Sequence, residues 1–265
     1  MQLQMFTNIL LNISLLTLIA TLITGFGPVK KLFSEEPKGA FSKNQFVKNI
    51  LLAIFFGCIS ILSTYTGTYV NGAILNTRVI GVLAGGLLGG PVVGLGAGLI
   101  AGIHRYAFDI GGFTALSCTI STLLEGLLGS AIWYHHQKNN RTYDYLELFV
   151  VTFFAECMQM VIILLIAKPF ARSLQLVQII AFPMIILNSI GICLFFSVFR
   201  HMMTEQDSQS AKRISLTLEI TNQCLPFLRK RVRTKDDWTK ILSLLSDLSG
   251  CSNILISDTQ KIVAL

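Results

Sequence analysis

Charge is what this sequence has least of: Asp, Glu, Lys and Arg make up only 13% of it, while 52% is hydrophobic. That scarcity excludes an ordinary soluble domain, in which about a quarter of residues are charged. Cysteine is sparse and unpatterned, with six residues at 58, 118, 157, 193, 224 and 251 and no CxxC pair. Neither a zinc site nor a disulfide framework follows, and no metal or other cofactor is expected. The start, Met1-Gln-Leu-Gln-Met5, lacks the basic n-region of a secretory signal. No small-residue cleavage site follows the first apolar run, so that run is expected to stay as a membrane anchor. No nucleophile–base pair stands out. The net charge of +7 does not call for nucleic acid, because excess Lys and Arg in a membrane protein usually sits in cytoplasmic loops.

Long apolar runs are what the chain does have. Five are long enough to cross a hydrocarbon core of ~30 Å, at about Met5–Phe26, Asn49–Thr66, Thr114–Tyr134, Tyr145–Ala167 and Leu174–Phe199. A sixth is unlike the others. Between Gly81 and Gly98 it is crowded with glycine and interrupted by Pro91, and it lies between Arg78 and Arg105. An unbroken helix would hold those arginines roughly 40 Å apart, on opposite membrane faces. A break at Gly89-Gly90-Pro91 gives two half-helices, 78–89 and 91–103, and returns both arginines to one surface. The competing arrangement is a long kinked span whose glycines serve close helix packing.

Loop charges favour the fold-back. The loop holding Lys30, Lys31, Lys38, Lys43 and Lys48 reads as cytoplasmic, and Gly67–Thr77 carries no charge and fits the outside. Gly111-Gly112 marks a turn after the hairpin. His135-His136-Gln-Lys138 through Arg141 is polar and basic and is placed inside. The expected fold is an all-α polytopic membrane bundle of five full spans plus a broken Gly-rich hairpin, or of six spans, with a short α+β cytoplasmic tail.

The tail begins where composition changes, at Thr204. Residues 1–203 read as the transmembrane domain and 204–234 as a signalling helix or linker. In that linker Ile214, Leu218, Leu225 and Leu228 are near helical spacing, and Pro226 should kink or end the helix. In 235–265, Trp238, Ile241, Leu242, Leu245 and Leu248 share one side of an amphipathic helix capped by Gly250. Strands at Asn253–Ser257 and Lys261–Leu265 follow, joined at Asp258-Thr-Gln260. A lone hairpin is marginal in water, so this reads as the opening of a longer domain.

A family resemblance rests on Asn76-Thr-Arg78, Gly85-Gly-Leu-Leu-Gly-Gly-Pro91, Gly98-Leu-Ile-Ala-Gly102, His104-Arg-Tyr106, Gly111-Gly-Phe-Thr-Ala-Leu-Ser-Cys118 and Ser121-Thr-Leu-Leu-Glu-Gly126. These resemble the five-transmembrane receptor region of LytS-type sensor histidine kinases, over roughly residues 1–200. The tail from Leu218 resembles the start of the GAF domain that follows it. The resemblance implies a bacterial plasma-membrane sensor for a small extracellular carboxylate, pyruvate-like, with a cytoplasmic C-terminus. It also implies a homodimer whose kinase addresses a LytTR-type response regulator. Two features depart from the pattern. The stretch Tyr106–Ile110 is longer than usual and adds Asp109, which can pair with Arg105 or repel an anion. The chain carries no phosphoacceptor-histidine domain and no ATP-binding glycine boxes, so kinase catalysis does not belong to these residues.

Arg78 and Arg105 are the carboxylate-binding candidates, because a guanidinium can hold a carboxylate bidentately. The bland alternative is snorkelling at helix ends. Cys118 and Ser121, at i and i+3, share a helix face. Spacing alone makes them packing residues, and the resemblance carries them as ligand contacts. Glu125 and Glu156 are intramembrane acids that need protein or water partners, and Asn188 or Gln159 can supply one. A structural hydrogen bond is the simpler account, and coupling of the site to the output helix the sharper one. His104 reads as a packing residue. The competing functions are a transporter or capture subunit, and a receptor for a diguanylate cyclase output.

Overall fold

The computed structural model describes residues 2–25, 43–139, 141–229, 235–249, 254–257 and 262–264. The expected lysines at 30, 31 and 38, the cap at Gly250 and the turn at 258–260 lie outside the described residues. Two compact units divide the chain, Met1–Met202 and Met203–Leu265.

The first unit is a helical bundle. Helix α1 covers Gln2–Gly25 and α2 covers Lys43–Tyr65. Strands β1 (Thr68–Val70) and β2 (Ala73–Leu75) follow, then α3 (Arg78–Phe108), α4 (Ala115–Asn139) and α5 (Tyr145–Ile166). Helix α6 runs from Phe170 to Leu228, and its residues beyond Met202 belong to the second unit. Hydroxyls inside apolar helices bond to their own backbone. Thr17 and Thr21 of α1, for example, donate to the carbonyls of Ile13 and Thr17. Exposed Leu10, Leu18, Leu124, Phe154, Leu165 and Phe182 give the bundle an apolar exterior that suits lipid.

Six helices are long and apolar enough to cross a membrane, α3 among them. Yet α3 is not one rod. Gly90 has φ 74° and ψ −160°, and the chain reverses there. A straight helix would separate Val82 from Gly98 by about 24 Å. Instead a Cβ built on Gly98 would lie 3.7 Å from a Val82 methyl, and one on Gly94 would lie 2.8 Å from the Gly86 Cα. The two arms, 78–89 and 91–108, are therefore antiparallel. The second runs further than the expected end at 103, through His104 and Arg105.

Helix α4 packs on this hairpin with backbone against backbone. A Cβ on Gly86 would lie 2.8 Å from the carbonyl of Gly126 and from the Ser130 nitrogen, and one on Gly129 would lie 2.7 Å from the Leu83 carbonyl. Glycine at these places lets the helices approach as side chains would forbid. Helix α2 covers the hairpin's other side, where Phe56 meets Gly85. Along α4, the stretch from Thr114 to Trp133 rises about 28 Å. Arg105 bonds to Thr114 and Gly90 touches Trp133, so the hairpin reaches most of the way through a hydrocarbon core.

Between α2 and α3 the expected uncharged loop is a two-stranded hairpin, pairing Thr68 with Leu75 and Val70 with Ala73. Asn71 (φ 50°) and Gly72 (φ 83°) form its two-residue turn. Both need positive φ, which Asn-Gly supplies at little cost. Arg172, at the start of α6, donates to the Asn71 carbonyl and lies 4.7 Å over the Phe113 ring. These contacts join the β-hairpin, the α3–α4 turn and the α5–α6 turn at one end of the bundle.

The second unit holds the rest of α6, helix α7 (Lys235–Ser249), and strands β3 (Ile256–Ser257) and β4 (Ile262–Ala264), which pair antiparallel. Ile241 and Leu242 are buried on α7. Helix α6 runs through Pro226, whose ring nitrogen has no proton to give the Asn222 carbonyl, and ends two residues later.

Candidate functional site

The site is built where the hairpin begins and ends. Arg78 opens the first arm, and α2 fixes that opening. Ser63 Oγ accepts from the Thr77 nitrogen at 2.8 Å, and Ser60 Oγ donates to the Arg78 carbonyl at 3.3 Å. Asn76 Oδ1 accepts from the Arg78 nitrogen at 3.3 Å. These hydroxyls and amides satisfy helix-terminal groups that water cannot reach.

Both arginines are fully buried, Arg78 at 1% and Arg105 at 0% exposure. Neither snorkels. Arg78 Nε donates to Thr122 Oγ1 at 2.7 Å, and that hydroxyl donates in turn to the Cys118 carbonyl at 2.6 Å. Arg105 donates through Nη1 and Nη2 to Asp109 Oδ2 at 3.2 Å, and through Nη2 to Thr114 Oγ1 at 3.3 Å. Asp109 thus pairs with Arg105. The turn that places it needs Gly111 at φ +80°, and Gly112 because a Cβ there would strike the Asp109 carboxylate. Arg78 Nη1 and Arg105 Nε are buried with no hydrogen-bond partner among the described residues.

Thr114, which precedes α4 and whose carbonyl accepts from the Cys118 nitrogen at 2.9 Å, lies at i with Cys118 at i+4 and Thr122 at i+8, one face. The two arginines therefore dock on one helix face, with their hydroxyl partners about 12 Å apart along the axis. Cys118 and Ser121 lie between those partners and are buried. The Ser121 hydroxyl donates to the Cys118 carbonyl at 3.0 Å, and the Ser117 hydroxyl to the Thr114 carbonyl at 3.0 Å. Thr114 and Thr122 were not among the expected site residues. Their spacing with Cys118 was the available signal.

Below Arg78 lies a second polar layer. Glu125 is fully buried, and neither carboxyl oxygen has a hydrogen-bond partner among the described residues. Glu156 of α5 accepts from Asn188 Nδ2 of α6 at 2.6 Å, and the same amide reaches the Asn76 carbonyl at 3.4 Å. Arg78 is within electrostatic reach of both acids, and Glu125 of Glu156. Asn188, rather than Gln159, supplies the partner the sequence called for. His104 bonds to the Tyr65 hydroxyl at 3.2 Å, packs on Phe108 and is within electrostatic reach of both arginines.

At the far end, the hairpin tip has its own support. The Leu87 carbonyl would be bonded by the nitrogen of residue 91 in a continuous helix, but Pro91 has no N–H. Tyr143 supplies the missing donor, its hydroxyl reaching the Leu87 carbonyl at 2.7 Å. His136 stacks on Tyr143 at 4.4 Å and bonds to Glu147 at 3.1 Å. Arg200 of α6 donates to the Tyr143 carbonyl. Burial, and then the Glu147 carboxylate, push the Tyr143 phenol above its ordinary range, so it stays a donor at physiological pH. No sequence signal marked Tyr143, because its role depends on what packs beside it.

Fold and site together define a multi-pass helical membrane domain with two buried arginines carried by a re-entrant hairpin. Residues 39–202 match the family described as 5TMR of 5TMR-LYT, and the chain belongs to that family. It is 36% identical over 233 residues to the sensor protein LytS of Bacillus subtilis, covering 82% of this chain and 39% of that protein. It is 35% identical over 217 residues to the sensor histidine kinase BtsS of Escherichia coli, covering 81% and 38%. With the sensor histidine kinase YpdA of Escherichia coli it shares 31% over 216 residues, covering 81% and 37%. The chain spans about two fifths of the length of these curated relatives. No solved structure matches it.

Proposed function

We propose that this chain is the sensing module of a bacterial two-component system, binding a small extracellular carboxylate such as pyruvate. In this reading Arg78 and Arg105 hold the carboxylate, and Cys118 and Ser121 contact it from α4. Gly89, Gly90, Pro91, Gly111 and Gly112 give the hairpin and its exit turn their shape. The arginine end faces the exterior and the C-terminus the cytoplasm. Occupancy then passes along α6 to a LytS-type kinase in a homodimer, and on to a LytTR-type response regulator. A ligand drives such a switch only by binding its two states unequally. The names of the relatives support a sensing role in two-component signalling.

One observation carries the reading. Two guanidinium groups are buried in an apolar bundle with N–H groups left over, and among the described residues no carboxylate is bonded to Arg78. A buried cation whose donors are unpaired is costly, and an anion of the right size relieves that cost. Calorimetry with pyruvate on the protein in nanodiscs tests it. Arg78→Ala and Arg105→Ala should each weaken binding by at least about a hundredfold, as expected when a charge-assisted bond worth roughly 3 kcal/mol is lost. Unchanged affinity in both variants rejects the site.

A further inference from the structure

We propose that the carboxylate binds at Arg78 together with one proton, taken up by the Glu125–Glu156 pair. The inference rests on the carboxylate reading above and adds a second ligand to the same site.

The argument is a charge count in a dry place. Arg78, Glu125 and Glu156 come from α3, α4 and α5, and all three are buried to 1% exposure or less. Of the four carboxyl oxygens, only Glu156 Oε1 has a hydrogen-bond partner among the described residues. An ionised carboxylate at such a depth needs a cation or several donors. Arg78 is the cation beside both acids. Its partner Thr122 lies one turn from Glu125 on α4, and the Asn188 amide that bonds Glu156 also reaches the Asn76 carbonyl two residues before Arg78. One guanidinium balances one carboxylate. The empty site is therefore neutral with one acid ionised and the other protonated, since two like charges this close do not both ionise readily. A carboxylate arriving on Arg78 takes over the guanidinium's charge. The acid left ionised then has no counter-charge and gains a proton from solvent. The ligand's carboxylate stays intact, no covalent bond is made or broken in it, and the site remains neutral.

Other titratable groups near the arginines are accounted for. His104 of α3 and Tyr65 of α2 bond to one another. Asp109 is held by Arg105. On α6 the group facing Glu156 is the amide of Asn188, which does not titrate. Cys118 lies beside Thr122 on α4, and Cys157 follows Glu156 on α5.

Titration calorimetry of the full chain in nanodiscs, with pyruvate in Tris and in HEPES, counts the protons. About one proton per pyruvate should be taken up at neutral pH, and affinity should fall by up to about tenfold per unit as pH rises from 6 to 8. The double variant Glu125→Gln/Glu156→Gln should remove the uptake and flatten the pH dependence, each single variant should keep the uptake because the remaining acid balances Arg78, and His104→Gln should leave both in place. Pyruvate binding with no proton uptake and a flat profile overturns the coupling and leaves the carboxylate reading standing. Uptake that survives the double Gln variant places the proton elsewhere and also overturns it. Absence of pyruvate binding under every condition removes the carboxylate reading and the coupling with it. Where a Gln variant does not fold, the proton count of the unaltered chain decides alone.

Discussion

Gly90 and Gly111 both hold φ beyond +70°, yet they answer to different demands. Gly90, at ψ −160°, is in a region only glycine enters readily, and a Cβ on it would lie 2.9 Å from the Trp133 ring. A Cβ on Gly111 would meet nothing within 4 Å. Gly111→Ala therefore pays for backbone conformation alone, about 1–2 kcal/mol. Gly90→Ala adds steric conflict at the reversal itself, for a total of roughly 2–4 kcal/mol. Thermal unfolding in nanodiscs should place Gly90→Ala clearly below Gly111→Ala, and equal losses would show that Trp133 yields. Arg78 makes the same kind of contrast with Arg105. One leans on a hydroxyl and faces two acids, the other is already engaged by Asp109.

Among the elements, the glycine-rich hairpin was the most legible from sequence, because proline, glycine and paired arginines each constrain the path independently. The β-hairpin at 68–75 was hidden by its length. Strands of three residues carry too little alternation to be read, although Asn71-Gly72 is a strong turn signal. The helix beyond Thr204 was legible in the near-helical spacing of Ile214, Leu218, Leu225 and Leu228, since a change from apolar to charged composition alters a helix's surroundings and not its backbone. The Glu156–Asn188 bond was within reach of sequence reasoning because each polar group in an apolar span needs a partner. Tyr143 was not. Its importance follows from Pro91, and it can be tested. Tyr143→Phe leaves the Leu87 carbonyl without its donor, at about 1–3 kcal/mol. Hydrogen exchange should quicken around residues 84–92 and stay unchanged in α1, whereas full protection of the tip would show that another group bonds that carbonyl.

For the molecule as a whole, the bundle has two unlike ends. One gathers the β-hairpin, Arg105, Asp109 and the Arg172 contacts, and the other gathers the hairpin tip, Tyr143 and Arg200. The proposed sidedness assigns the first end to the exterior. In a cysteine-free background, Tyr69→Cys should react with an impermeant maleimide on intact cells, and Arg141→Cys only after lysis, with the opposite result inverting the topology. The close approach of α4 to both hairpin arms has a mechanical meaning. Where Gly86, Gly94, Gly126 and Gly129 meet, no rotamers intervene to soak up a displacement. The assembly is therefore stiff along its length, and under the proposed sensing role a shift of a few tenths of an ångström beside Arg78 would reach Tyr143, and with it Arg200 of α6, with little loss.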